Sequence, residues 1–75
     1  IIELSKDVSM MELDVKKDWA GKNLIELDLR KKYSINVVAV RKNGEVVCDI
    51  DPKMPLDIEM QLIVIANPEK LGKLK

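Results

Sequence analysis

Residues 23–40 read NLIELDLRKKYSINVVAV, a short helix running straight into a strand. Asn23 is a good N-cap, and Glu26 three residues on completes a capping box that satisfies free amides of the first turn. At about 100° per residue, Leu27, Leu24, Asp28, Ile25 and Leu29 share one broad arc, with an aspartate inside it. A helix lying on one sheet needs a single apolar stripe. This arc holds two, Leu24 with Leu27 and Ile25 with Leu29. One stripe is expected to pack on the domain's own sheet, and the other to face a partner subunit or a ligand. The helix is expected to end near Tyr33 and Ser34. Lys31 and Lys32 sit in its last turn, where cations suit the negative end of the dipole.

Downstream, Ile35 to Lys42 reads as a strand, Asn43-Gly44 as a two-residue type I′ turn and Glu45 to Ile50 as the returning strand. That loop sets Lys42 opposite Glu45, Val40 opposite Val47, Ala39 opposite Cys48 and Val37 opposite Ile50. Val37, Ala39, Val46, Cys48 and Ile50 are assigned to the core face, which makes Cys48 a small buried hydrophobe. Asp51 to Glu59 is a loop with Pro52 and Pro55. Met60 to Ala66 is almost wholly apolar, as expected of a strand covered on both faces. Asn67-Pro68 then opens a C-terminal helix running through Lys75, with Pro68 in its first turn.

Upstream, Ile1 to Leu4 is a short apolar piece, an edge strand or the end of a linker. Ser9 to Val15 alternates, with Met11, Leu13 and Val15 pointing one way and Met10, Glu12 and Asp14 the other. Lys16 to Lys22 connects it to the helix. Trp19 is expected to lid one end of the core, and Gly21 to allow the turn into Asn23. The order is strand, strand, helix, strand, strand, strand, helix. That predicts an α+β fold: a small, mostly antiparallel sheet, one helix between strands 2 and 3, and a C-terminal helix.

Composition narrows the function. The 75 residues make one domain, 1–75, whose stability is marginal because so short a chain buries only about 60% of its unfolded surface. Dimerisation is a common remedy. Cys48 is the only cysteine, so no disulfide forms within the chain, and a lone thiol suits a reducing cytosol. The 13 basic and 13 acidic residues cancel, against nucleic-acid binding, which needs a basic face. No apolar run approaches the roughly 18 residues of a membrane span. No signal peptide is expected, and the start at Ile1 in strand-like sequence reads as a piece of a longer protein.

The chemistry of an enzyme is missing. There is no histidine, so the usual general base and the commonest metal ligand are absent. Asp49, Asp51 and Asp57 are spread over a strand end and a loop rather than paired in a cleft. Three glycines make no phosphate-cradling pattern. No catalytic residue, metal site or cofactor is expected.

Trp19-Ala-Gly-Lys-Asn-Leu-Ile-Glu-Leu-Asp-Leu-Arg-Lys-Lys-Tyr33, followed by Ile35-Asn-Val-Val-Ala-Val40, closely resembles the C-terminal domain of TrkA and KtrA proteins. This domain is also the C-terminal lobe of the regulator of potassium conductance. The resemblance runs on through the Asn43-Gly44 hairpin, Pro52, the Leu62-Ile-Val-Ile65 strand and Pro68-Glu69-Lys70-Leu71, nearly the whole chain. It implies a non-enzymatic, homodimeric regulatory domain in the cytoplasm, held at the inner face of the membrane through a potassium transporter. In many Gram-positive members the dimer interface binds cyclic di-AMP. Carried across position by position, the apolar floor of that site is Leu24, Ile25, Leu29 and Val37, with Pro52 at its edge. Asp28, Arg30 and Lys31 come from the helix and Asn36 from the start of the next strand. The chain departs from the family at Ser34 and Asn67, where many relatives have glycine, at Ile58-Glu59 in place of Gly-Asp, and at Glu45, where some binders carry histidine. Two other roles stay open: a ligand-free dimerisation module, and the same domain on a cation–proton antiporter or other transporter.

Overall fold

A computed structural model describes residues 1–72; the last part of the expected C-terminal helix, through Lys75, lies outside the described residues. Five strands form one sheet: β1 (Ile2–Ser5), β2 (Val8–Asp14), β3 (Asn36–Lys42), β4 (Glu45–Val47) and β5 (Gln61–Ala66). Their spatial order is β1-β2-β5-β3-β4, and every neighbouring pair is antiparallel. The last strand therefore inserts between the second and third. A 3-10 turn (Lys17–Trp19) and two short helices, α1 (Leu24–Leu27) and α2 (Leu29–Tyr33), link β2 to β3, and α3 (Pro68–Leu71) closes the described chain. The α+β architecture and the order of its elements are those expected from the sequence.

The core lies between the sheet and these helices. Met11 and Val15 of the β2 segment, Leu62, Val64 and Ala66 of β5, and Val40 of β3 meet Trp19, Leu27, Leu29, Ile35, Leu56 and Met60. Trp19 is buried at the end where two loops are stitched together. There the Gly21 amide donates to the Leu56 carbonyl and the Leu56 amide to that of Lys22, both at 2.8 Å. Gly21 sits at φ +84°, a conformation that costs glycine nothing.

The hairpin register is as expected at its turn: Lys42 pairs with Glu45 and Val40 with Val47, around Asn43 and Gly44 at φ 52° and 79°. The positive φ at both central residues is what a type I′ turn requires. Beyond Val47 the expectation fails. Strand β4 stops there, so Ala39 does not pair with Cys48 or Val37 with Ile50, and Cys48 is exposed. The chain leaves the sheet through local turns: Ile50 N–H to the Cys48 carbonyl (3.1 Å), and Lys53 N–H to the Asp51 carboxylate (2.9 Å). The core face is also reassigned. Val37 and Ile50 are half-buried against the core, as expected; an irregularity between Val37 and Ala39 then shifts the alternation, so Val40 joins the core while Ala39 pairs with Ile63 and Val46 is exposed. A bulge inserts one residue and resets which side chains face in.

Two exposed ion pairs trim the sheet. Arg41 donates from Nε and Nη2 to both oxygens of Glu12 at 3.0 and 2.9 Å, and Lys42 Nζ reaches Asp57 rather than Glu45, at 2.8 Å. The hydrogen bond from Arg41 lowers the Glu12 carboxyl below its ordinary value, and that from Lys42 does the same for Asp57.

Ser34 ends α2 in the left-handed region, φ 56°, its amide donating to the Arg30 carbonyl at 3.0 Å. A residue with a Cβ is strained there by roughly 1–2 kcal/mol, and glycine gives back part of that through the freedom it adds to the unfolded chain. Ser34→Gly is expected to stabilise the domain by about 0.5–1 kcal/mol, a rise in Tm of a few degrees. A thermal melt checks it; a lower Tm means the Ser34 hydroxyl, 3.4 Å from Lys70 Nζ, outweighs the backbone. Asn67 carries no such strain: at φ −87° it caps α3, accepting the Glu69 amide at 3.0 Å.

Candidate ligand site at a broken helix

The capping box at Asn23 forms as expected. Its side chain accepts the Glu26 amide at 2.8 Å, and Glu26 accepts the Asn23 amide at 3.3 Å. The single helix expected over 23–33 does not form. It breaks at Asp28, which is left-handed at φ 48°, ψ 46° and serves both as C-cap of α1 and as N-cap of α2. Hydrogen bonding continues across the break, from Asp28 N–H to Leu24 and from Lys32 N–H to Asp28, at 3.1 and 3.0 Å. Aspartate is among the few non-glycine residues enriched in this conformation. Strain of this kind is concentrated at ligand sites and switches.

The break reassigns the apolar arc. Leu27 and Leu29 are both core, at 8% and 3% exposure, Leu24 is half-buried, and Ile25 stands 58% exposed. The two stripes are thus one residue from each of two helices packed on the sheet, and the outward stripe expected from Ile25 and Leu29 reduces to Ile25.

Where α1 and α2 diverge, a cleft of about 240 Å³ opens against the start of β3. It is lined by Leu24, Asp28, Leu29 and Arg30 from the helices and by Ile35, Asn36 and Val37 from the strand. Asn36 and Val37 both reach it because it lies across the first residues of β3 rather than over one face. Asp28 and Arg30 are exposed, and among the described residues neither side chain enters a hydrogen bond or ion pair. The cleft therefore joins an apolar floor, one free anion, one free cation and one amide. It brings together six of the nine residues expected at a ligand site. Ile25, Lys31 and Pro52 are not in its lining, Pro52 lying in the exposed loop after β4. Ile35, 1% exposed, was not foreseen there; its place between the helix end and the strand was its only signal. Glu45 sits at the β3–β4 turn, outside the lining. No group of three or more metal-ligating side chains occurs among the described residues.

The TrkA-C domain matches residues 8–75. The Ktr system potassium uptake protein C of Bacillus subtilis is 33% identical over 72 residues, 96% of this chain and 33% of that protein. This chain thus spans about a third of the length of that curated relative. Among solved structures, the regulator of conductance of K+ (RCK) C domain of the potassium transport protein KtrA, in complex with cyclic di-AMP, superposes with a TM-score of 0.81. It is 31% identical, over 89% of this chain and 79% of that one. The RCK_C domain dimer of Streptococcus agalactiae BusR, also in complex with cyclic di-AMP, has a TM-score of 0.75. Its 15% identity, over 92% and 88% of the two chains, speaks for the fold alone. The chain belongs to the TrkA-C domain family, a family of regulatory domains and not of enzymes.

Proposed function

We propose that this chain is a cytosolic regulatory domain of a bacterial potassium-uptake protein, and that two copies bind one cyclic di-AMP between their Asp28 clefts. The observation that carries the reading is the composition of the cleft: Leu24, Asp28, Leu29, Arg30, Asn36 and Val37 gathered at one helix break. At about 240 Å³ it is small for a ligand site, which runs to about 300–1,000 Å³, and a second copy across a two-fold axis doubles it. A two-fold symmetric dinucleotide fits an isologous interface, where each contact occurs twice. Each Arg30 holds one phosphate by forked, charge-assisted hydrogen bonds. Each Asp28 carboxylate accepts from an adenine amino group, and Leu24 and Ile25 cover the base. The ligand favours the paired geometry that it bridges and shifts the transporter's control assembly by its differential affinity, no further.

Isothermal titration of the domain with cyclic di-AMP tests this. The expected result is saturable heat at one ligand per two chains, with a thermal shift that grows with ligand concentration. Neither heat nor shift would leave a ligand-free dimerisation module.

A further inference from the structure

Residues 24–33, LIELDLRKKY, contain neither glycine nor proline and are mostly good helix formers. By local preference they make one straight helix behind the Asn23 capping box. The broken form is imposed by packing. In a straight helix positions 27 and 29 lie about 200° apart, so a helix on one sheet buries only one of them. Leu27 and Leu29 are nevertheless both in the core, at 8% and 3% exposure. Burial of the second leucine holds the break, and the left-handed backbone of Asp28, φ 48°, opposes it. The two effects are of similar size, one leucine side chain against one left-handed residue. Burial is the larger, so the broken form is the major one.

Little has to move between the two forms. The bonds from the Asp28 amide to the Leu24 carbonyl and from the Lys32 amide to the Asp28 carbonyl span four residues, as in a continuous helix, so they persist. The angles that change are those at the two ends of α2. Among the described residues three non-glycine positions have positive φ. Asn43 belongs to the hairpin turn, and the other two, Asp28 and Ser34, bracket α2. A few element-terminal residues that absorb a change of φ and ψ are what a hinge consists of.

We infer that α1 and α2 form a two-state switch, broken in this structure and straight in a minor form, and that only the broken form carries the Asp28 cleft. In the straight form Leu24 and Leu27 stay inward, while Leu29 turns out beside Ile25, four residues away on the same face. Ile25 is already 58% exposed. These are the two apolar stripes that the sequence spells when read as one helix. Straightening removes the divergence of α1 and α2 into which the cleft opens. The regulatory role rests on the reading of that cleft as the cyclic di-AMP site. A ligand that needs the cleft selects the broken form, and its apparent affinity falls with the fraction of chains that are straight.

NMR of the wild-type domain, Asp28→Ala and Asp28→Gly is the test. Both variants lack the carboxylate, and they differ in the cost of a left-handed backbone, which glycine escapes. The NOE between a residue's own amide and Hα protons is strong at positive φ and weak in a helix. Without nucleotide, wild type is expected to show the strong NOE at Asp28, with millisecond relaxation dispersion centred on residues 25–34. Asp28→Ala is expected to lose that NOE and to regain it with saturating cyclic di-AMP. It is also expected to bind cyclic di-AMP at least about threefold more weakly than Asp28→Gly. A strong NOE in nucleotide-free Asp28→Ala overturns the inference, as do equal affinities of the two variants. Flat dispersion profiles in wild type overturn it as well, and that measurement needs no variant to fold. The NOE and the dispersion are read without ligand, so a domain that binds no cyclic di-AMP removes the ligand reading while these two still decide the switch.

Discussion

Arg30→Ala is expected to weaken cyclic di-AMP binding at least tenfold, about 1.4 kcal/mol, and to leave the dimer intact. Among the described residues Arg30 makes no ion pair, so its loss uncovers no buried charge in the free protein. Its backbone carbonyl, which accepts the Ser34 amide, is kept by alanine, the best helix former. The cost thus falls on the complex. A hydrogen bond to a charged group is worth about 1.5–3 kcal/mol, and the site contains Arg30 twice. Arg30→Lys keeps the charge but not the planar fork, and is expected to fall between wild type and alanine. Lys31→Ala is the control: one residue along and equally basic, but outside the cleft lining, it is expected to change affinity by less than threefold. Titration calorimetry on the three variants decides. Unchanged affinity for Arg30→Ala removes Arg30 from the site, and equal losses at Arg30 and Lys31 reduce its role to diffuse charge.

Local chemistry in the sequence carried much of this structure. A capping box and an Asn-Gly turn are satisfied within a few residues, whatever surrounds them, so both were legible and both formed. The order of elements followed from periodicity. What periodicity could not show were single-residue changes of direction. Asp28 is an ordinary residue by composition, yet its left-handed backbone divides one helix into two. The trace it left was an apolar arc too broad for one helix, with an aspartate in the middle. A register irregularity next to Val38 is likewise silent, because every residue from Val37 to Val40 is apolar; it leaves Val37 inward as expected but moves the next inward position from Ala39 to Val40. Cys48 was misread for the same reason: an apolar residue in an alternating run counts as core only while the strand lasts. The cleft residues were legible only through family resemblance, since Asp28, Arg30 and Asn36 are unremarkable as types. The structure supplies what the pattern lacked, a break that turns them toward one another.

Leu62→Ala is expected to destabilise the domain by about 2–5 kcal/mol, the range for emptying a buried leucine site. Leu62 is fully buried in the central strand, between Leu13 of β2 and Val40 of β3. At about 0.05–0.15 kcal/mol per residue a domain of this length holds roughly 4–11 kcal/mol in all, so the substitution takes about half of it at the middle of both ranges. Ile63→Ala, one residue on and facing the open side, is expected to cost about 1 kcal/mol or less, because water already reaches that side chain. Trp19, the single tryptophan, is 5% exposed, and its fluorescence in urea reports unfolding of the core directly. The two variants should share the wild-type slope and differ in midpoint. Equal midpoints would mean that the two faces of β5 are covered alike in solution.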